Sequence, residues 1–111
     1  KFDPGVWNQQ PEAIESWYYL YHLTGNRQYQ RWAWQVFKAI KLHSRVPKGY
    51  ASVYGVNRPK RIHFDKMESF FLAETLKYLY LILSDRPGAT GLPMDRWIFN
   101  TEAHPLPIYD A

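Results

Sequence analysis

The 111-residue sequence contains no cysteine, which removes both disulfide frameworks and thiolate metal sites from this stretch and leaves the redox compartment open. It also lacks a long hydrophobic run. The longest apolar stretch, Leu76 to Leu83, is interrupted by Lys77 and falls far short of the roughly 20 residues that span a bilayer, so no membrane contact is expected from this segment. No charged start followed by an apolar stretch opens the chain, so no signal peptide is visible within it; a preceding segment would be the place for one. There is no Gly-rich phosphate loop and no nucleophilic Ser or Cys motif. His22, His43 and His63 do not fall into metal-ligand spacing, and His104 reads as a hydrogen-bonded structural residue.

Hydrophobic residues make up 46% of the chain and aromatic residues 18%, including five Trp and nine Tyr. That composition excludes a disordered chain, and the length suits one domain with a modest core. So small a body has little interior, so some of these rings must face a ligand, a partner or protein outside this segment. The formal charge is +4, but the basic residues are scattered, with Arg58, Lys60 and Arg61 the only cluster. A nucleic-acid binder aligns such residues along one face; this pattern reads as a solvated surface with no nucleic-acid partner.

The periodicity predicts helices. From Pro11 to about Leu23 the pattern is helical, with Pro11 suited to the first turn, Glu12 and Glu15 complementing the dipole, and Gly25 suited to a left-handed stop. A second helix runs from about Arg27 to His43, and the short Thr24-Gly25-Asn26 link makes the pair an αα-hairpin. Residues 1–10 and 46–64 read as loop, with one short hairpin around Tyr50–Val56. A third helix is predicted over Asp65–Ser84, with Asp65 as N-cap and Glu68 completing a capping box. It is apolar around most of its circumference, more than two other helices could cover. Asp85-Arg86-Pro87-Gly88 breaks it, a short helical turn is expected within Leu92–Phe99, and two prolines keep Phe99–Pro107 out of a regular helix.

Three groups of residues could carry chemistry. Glu12 and Glu15 share one face at a helix start. They either compensate the dipole or address a cleft, with Glu12 as general base; a helix N-terminus favours the negative charge that a water-activating base requires. Phe70, Glu74 and Lys77 line up on the third helix. Either Phe70 is core and Glu74–Lys77 a surface ion pair, or Phe70 stacks on a sugar ring whose hydroxyls bond Glu74. Thr101-Glu102 places two oxygen-bearing side chains beside a kink, a donor type that suits calcium but recurs in many proteins.

Asp65–Leu81, DKMESFFLAETLKYLYL, and Phe99–Pro107, FNTEAHPLP, closely resemble the class I α-1,2-mannosidases (glycoside hydrolase family 47). Pro11-Glu12-Ala13-Ile14-Glu15-Ser16, followed by a Tyr-rich helix and Thr24-Gly25-Asn26, resembles that family's Arg-Pro-Glu block. The blocks occur in family order across residues 11–107.

This resemblance implies an all-α fold, the C-terminal part of an (α/α)7 barrel with a short β-hairpin or irregular tail. Residues 1–111 would form a partial catalytic domain whose partner is the rest of the same enzyme. The implied activity is inverting, calcium-dependent hydrolysis of terminal α-1,2-linked mannose on high-mannose N-glycans, in the endoplasmic reticulum, the Golgi or secreted. On the same basis Glu12 is the general base, Thr101 binds Ca2+ through its hydroxyl and carbonyl oxygens, Phe70 packs on the terminal mannose, and Glu15, Glu74 and Glu102 surround sugar and ion. The family's general acid and a further catalytic aspartate belong to earlier helices, so the isolated segment is expected to be inactive and poorly folded.

One departure stands out: Gln9-Gln10 replaces the family's Leu-Arg. Gln10 cannot supply the fixed fork of an arginine, and loss of that charge weakens neighbouring ionised carboxylates. This keeps open a glycan-binding quality-control homologue with weak or no catalysis. A third reading is a helical-repeat interaction module without sugar chemistry, which would have no use for Phe70–Glu74 together with Thr101–Glu102.

Overall fold

The computed structural model describes residues 5–84 and 90–110. Its centre is helical. Helix α1 spans Glu12–Thr24, capped by Pro11, and ends where Gly25 turns left-handed at φ +67° and donates its N–H to the Tyr21 carbonyl. Only a residue without a Cβ adopts that conformation at little cost. Asn26 then accepts the Gln28 N–H at 2.9 Å and starts α2, Gln28–His43. The αα-hairpin is therefore built as the short link requires.

The third helical stretch differs from expectation at its start and in its winding. Helical geometry begins at residue 69, with a π-helical segment at Phe71–Leu76 that runs directly into α3, Lys77–Ile82. Asp65 does not cap it. Lys66, just past β5, is still tied to the sheet, its carbonyl accepting the Ser52 N–H at 3.1 Å. The Glu68 N–H donates instead to the Gln9 side-chain oxygen at 2.6 Å. Glu68 itself is drawn into an ion pair with Lys66 at 2.7 Å. The expected capping box is thus replaced by a long-range cap.

Extended structure is more abundant than an all-α reading anticipates. Strands β1 (Val6–Trp7), β4 (Ser52–Tyr54) and β5 (Ile62–Phe64) form an antiparallel sheet in the order β1-β4-β5. Val6 lies opposite Tyr54, and Ser52 opposite Phe64. Strands β2 (Arg45–Val46) and β3 (Gly49–Tyr50) make a separate hairpin. Residues 46–64 therefore contribute to three strand pairs rather than one, and the loop expected before Pro11 contains a strand. Such short strands carry too few alternating positions to announce themselves by period. A turn at residues 94–96 leads into β6 (Trp97–Phe99), which pairs with β7 (Pro105–Pro107). This is the hairpin tail, with a turn where one was expected. The expected breaker at Asp85–Gly88 lies outside the described residues.

The core joins all three helices and the tail: Ile14, Tyr18 and Tyr21 from α1, Ala33 and Ile40 from α2, Phe71, Tyr78, Leu79 and Ile82 from the third, and Ala103 from the β6–β7 turn. Tyr18, Tyr78 and Phe99 meet as a ring triangle with centroid distances of 5.8, 5.8 and 6.0 Å. Each such pair adds about 0.5–1.5 kcal/mol beyond burial. Together they anchor the C-terminal hairpin onto α1 and α3. Other apolar side chains remain outside: Leu72 is 60% exposed, and Leu23 and Leu42 are each 76% exposed. Among the described helices none is long and apolar enough to cross a membrane.

Candidate active site

Three separate segments deliver the acidic side chains to one region. Glu12 opens α1 and is exposed; Glu15 lies one turn later and is half-buried. Glu74 sits half-buried in the π-helical segment, with half-buried Phe70 one turn ahead of it. Glu102 and Thr101 stand exposed in the turn between β6 and β7. Burial first, then the charges of Glu102, Glu15 and Glu12, push the Glu74 carboxyl above the usual carboxylate range, while Lys77 opposes them. All four carboxylates therefore share one electrostatic neighbourhood, although they are far apart in sequence.

The π-helical winding is local to this site. An i→i+5 turn inside an α-helix re-aims the side chains it carries, and such turns recur at functional positions. Here it carries Glu74 and follows Phe70. Asn100 shapes the other arm: its side-chain oxygen accepts the Glu102 N–H at 2.9 Å and the His104 N–H at 3.0 Å. This leaves Thr101 and Glu102 at the tip of a closed turn. No described residue hydrogen-bonds the Thr101 hydroxyl or carbonyl, so the lone pairs of both oxygens are open to a cation.

This set of oxygens fits a hard cation, provided much of the coordination comes from outside the protein. Among the described residues no group of three His, Asp or Glu is close enough to enclose a metal by itself. A threonine whose two oxygens no described residue hydrogen-bonds, next to Glu102 in the chain, suits calcium, which accepts hydroxyls, carbonyls and waters.

Sequence reasoning passed over two phenols. The Tyr78 hydroxyl is buried and has no hydrogen-bond partner of full geometry among the described residues, although Tyr19 lies beside it. Burial, followed by Glu15, Tyr19 and Glu74, drives its pKa far up. The Tyr19 phenol is likewise raised, chiefly by burial. Spacing could have found both, since Tyr19 follows Glu15 by four residues and Tyr78 follows Glu74 by four. Both phenols are held neutral within electrostatic reach of Glu15, and Tyr78 also of Glu74.

Gln9 and Gln10 also separate clearly. Gln10 is exposed, whereas Gln9 is fully buried. The Gln9 amide donates to the Tyr50 carbonyl at 3.1 Å while its oxygen caps the Glu68 N–H. A leucine at this place could make neither bond. The described cavities lie away from the carboxylates: an apolar one of about 430 Å³ between α2 and the β1-β4-β5 sheet, and a groove of about 530 Å³ on the basic face of α2. The acidic region is an open wall.

The model of glycosyl hydrolase family 47 matches residues 5–108. The chain belongs to that family. It is 52% identical over 101 residues to the human endoplasmic reticulum mannosyl-oligosaccharide 1,2-alpha-mannosidase, a match covering 89% of this chain and 14% of that protein. With the mouse mannosyl-oligosaccharide 1,2-alpha-mannosidase IB it shares 49% identity over 98 residues, covering 88% of this chain and 15% of the relative. The solved alpha-1,2-mannosidase from Trichoderma reesei superposes with a TM-score of 0.81 at 36% identity, covering 94% of this chain and 22% of that one. This member of family 47 therefore spans less than a quarter of the length of the relatives it matches, and that share includes the acidic wall.

Proposed function

We propose that this chain is the C-terminal part of the catalytic domain of an α-mannosidase barrel, with residues 1–111 supplying one wall of the active site. The complete enzyme removes terminal α-1,2-linked mannose from high-mannose N-glycans by inverting hydrolysis, in the secretory pathway. The observation that carries this reading is the convergence of Glu12, Glu15 and Glu102 on Glu74, with Thr101 next to Glu102 in the chain. The remainder of the barrel is the first partner, and exposed Leu23, Leu42 and Leu72 suit burial against it.

Inversion needs a base that activates water on one side of the bond and an acid on the other, with carboxyls about 6.5–9.5 Å apart. Glu12, held at the open start of α1, takes a proton from the attacking water. Phe70 offers a ring face to the apolar side of the mannose, and Glu74 and Glu102 accept hydrogen bonds from its hydroxyls. Glu15 adds negative charge behind them. Thr101, through its hydroxyl and carbonyl, would hold Ca2+; when bound, that ion supplies a hard Lewis-acidic centre for two mannose hydroxyls. The acid comes from outside this chain, so the segment alone is inactive.

The deciding experiment follows hydrolysis of an α-1,2-linked mannose disaccharide by the complete enzyme, with proton NMR of the first-formed anomer. Calcium-dependent release of β-mannose supports the reading. Binding without release, with or without calcium, would favour the glycan-reading homologue, which Gln10 in place of the family arginine favours on charge alone.

A further inference from the structure

Two backbone positions that flank the site share an unusual geometry. Gln9 and Ala103 are the non-glycine residues with positive φ among those described, at +68° and +57°. Both are fully buried. Gln9 stands three residues before Glu12; Ala103 directly follows Thr101 and Glu102. A left-handed conformation persists at non-glycine residues only where the surroundings over-determine it.

The surroundings that do so come from one helix. The Thr75 hydroxyl donates to the Gln9 carbonyl at 2.6 Å, and the Lys77 ammonium donates to the Ala103 carbonyl at 2.8 Å. Thr75 is the neighbour of Glu74, and both donors lie within three residues of it. The Gln9 end is gripped further by its side-chain bonds to Tyr50 and Glu68. One helix thus ties down the left-handed residue of each of the two loops that present the site.

We infer that Thr75 and Lys77 are positioning residues: two side-chain-to-backbone latches by which the Glu74 helix sets the places of Glu12 and of the Thr101–Glu102 turn. The inference rests on the roles proposed above for Glu12 and Thr101. Neither latch touches substrate. Their effect is geometric, and a misplacement of about 1 Å at a reacting group can cost on the order of 100-fold in rate.

The two latches give separable signals in the complete enzyme. Thr75→Val keeps the side-chain volume and removes the donor. It should lower kcat on the mannose disaccharide about 10- to 100-fold with KM within about twofold, and Thr75→Ser should restore most of the rate. Lys77→Met removes a cation beside a cation site, which by electrostatics alone tightens Ca2+ binding. A loosened Thr101 turn does the opposite. Isothermal titration of the calcium-stripped protein should therefore show affinity weakened by about tenfold.

A lower Tm with unchanged kcat and KM in Thr75→Val, or unchanged or tighter Ca2+ binding in Lys77→Met, overturns the inference. Should Thr75→Val fail to fold, the calcium titration of Lys77→Met carries the test, since that ammonium is only half-buried. A wild-type enzyme that neither binds Ca2+ nor releases mannose would instead sink the reading of Glu12 and Thr101 on which the latches depend.

Discussion

The Lys77 ammonium lies less than one helical turn beyond Glu74, yet it donates to the Ala103 carbonyl and forms no ion pair with the Glu74 carboxylate. The surface ion pair that spacing alone allows is therefore absent. Glu74 is left within electrostatic reach of three other carboxylates, with one nearby cation that is partly committed elsewhere.

Replacing Glu74 with Gln should show this as a trade between stability and function. A carboxyl whose folded pKa is raised contributes stability below its unfolded pKa of about 4.5 and loses it as pH rises through the folded value. In chelator at pH 7.5, Glu74→Gln should therefore melt higher than the wild type, and the difference should vanish near pH 4. Scanning calorimetry of the complete enzyme at both pH values checks it, while mannose release falls.

Glu12→Gln should lower turnover about 100-fold or more while leaving mannose affinity within a few-fold, because the loss of a general base acts on the transition state. Single-turnover assays alongside calorimetric titration with mannose separate the two. Unchanged turnover would take Glu12 out of the chemistry.

Much of this site was legible in the residues, and the reason is helical spacing. Glu12 with Glu15, and Phe70 with Glu74, lie one turn apart, so their shared faces follow from period alone. The meeting of those helices with Thr101–Glu102 does not. It depends on the Tyr18–Tyr78–Phe99 triangle and on the latches to Gln9 and Ala103, contacts between residues 21 to 81 positions apart. The family resemblance supplied what spacing could not.

The fold shows the same division. α1 and α2 appear within a residue or two of their expected bounds because Gly25 and Asn26 act locally. The third helix starts late because its cap comes from Gln9, 59 residues earlier. Strands of two or three residues are held by partners rather than by their own pattern, so β1 went unread.

Thr101→Ala removes the hydroxyl but keeps the carbonyl. Ca2+ affinity should fall by about tenfold or more, a loss of roughly 1.4 kcal/mol or more, with the Tm in chelator little changed because the side chain is exposed. A titration indistinguishable from wild type would assign the ion elsewhere.

His22 offers a pH test away from the ion. Burial lowers its pKa below 6.5, and its ring packs edge-on to Tyr18 with centroids 4.5 Å apart. A His depressed in this way contributes stability above pH 6.5 that is lost as pH falls through the folded value. Between pH 7.5 and pH 5 the Tm of the wild type should drop more than that of His22→Phe, by differential scanning fluorimetry.

The wider winding at Phe71–Leu76 makes this stretch sensitive to chain length in a way that point substitutions are not. Excising Ala73 would let the stretch relax into an ordinary α-helix, and one residue corresponds to about 100° around the axis. Because a π turn spreads one extra residue over nearly the same rotation, Phe71, Tyr78 and Leu79 would keep their places in the core while Glu74, inside the stretch, is re-aimed. In family 47, length changes within this helix should therefore be tolerated by folding and rejected by catalysis.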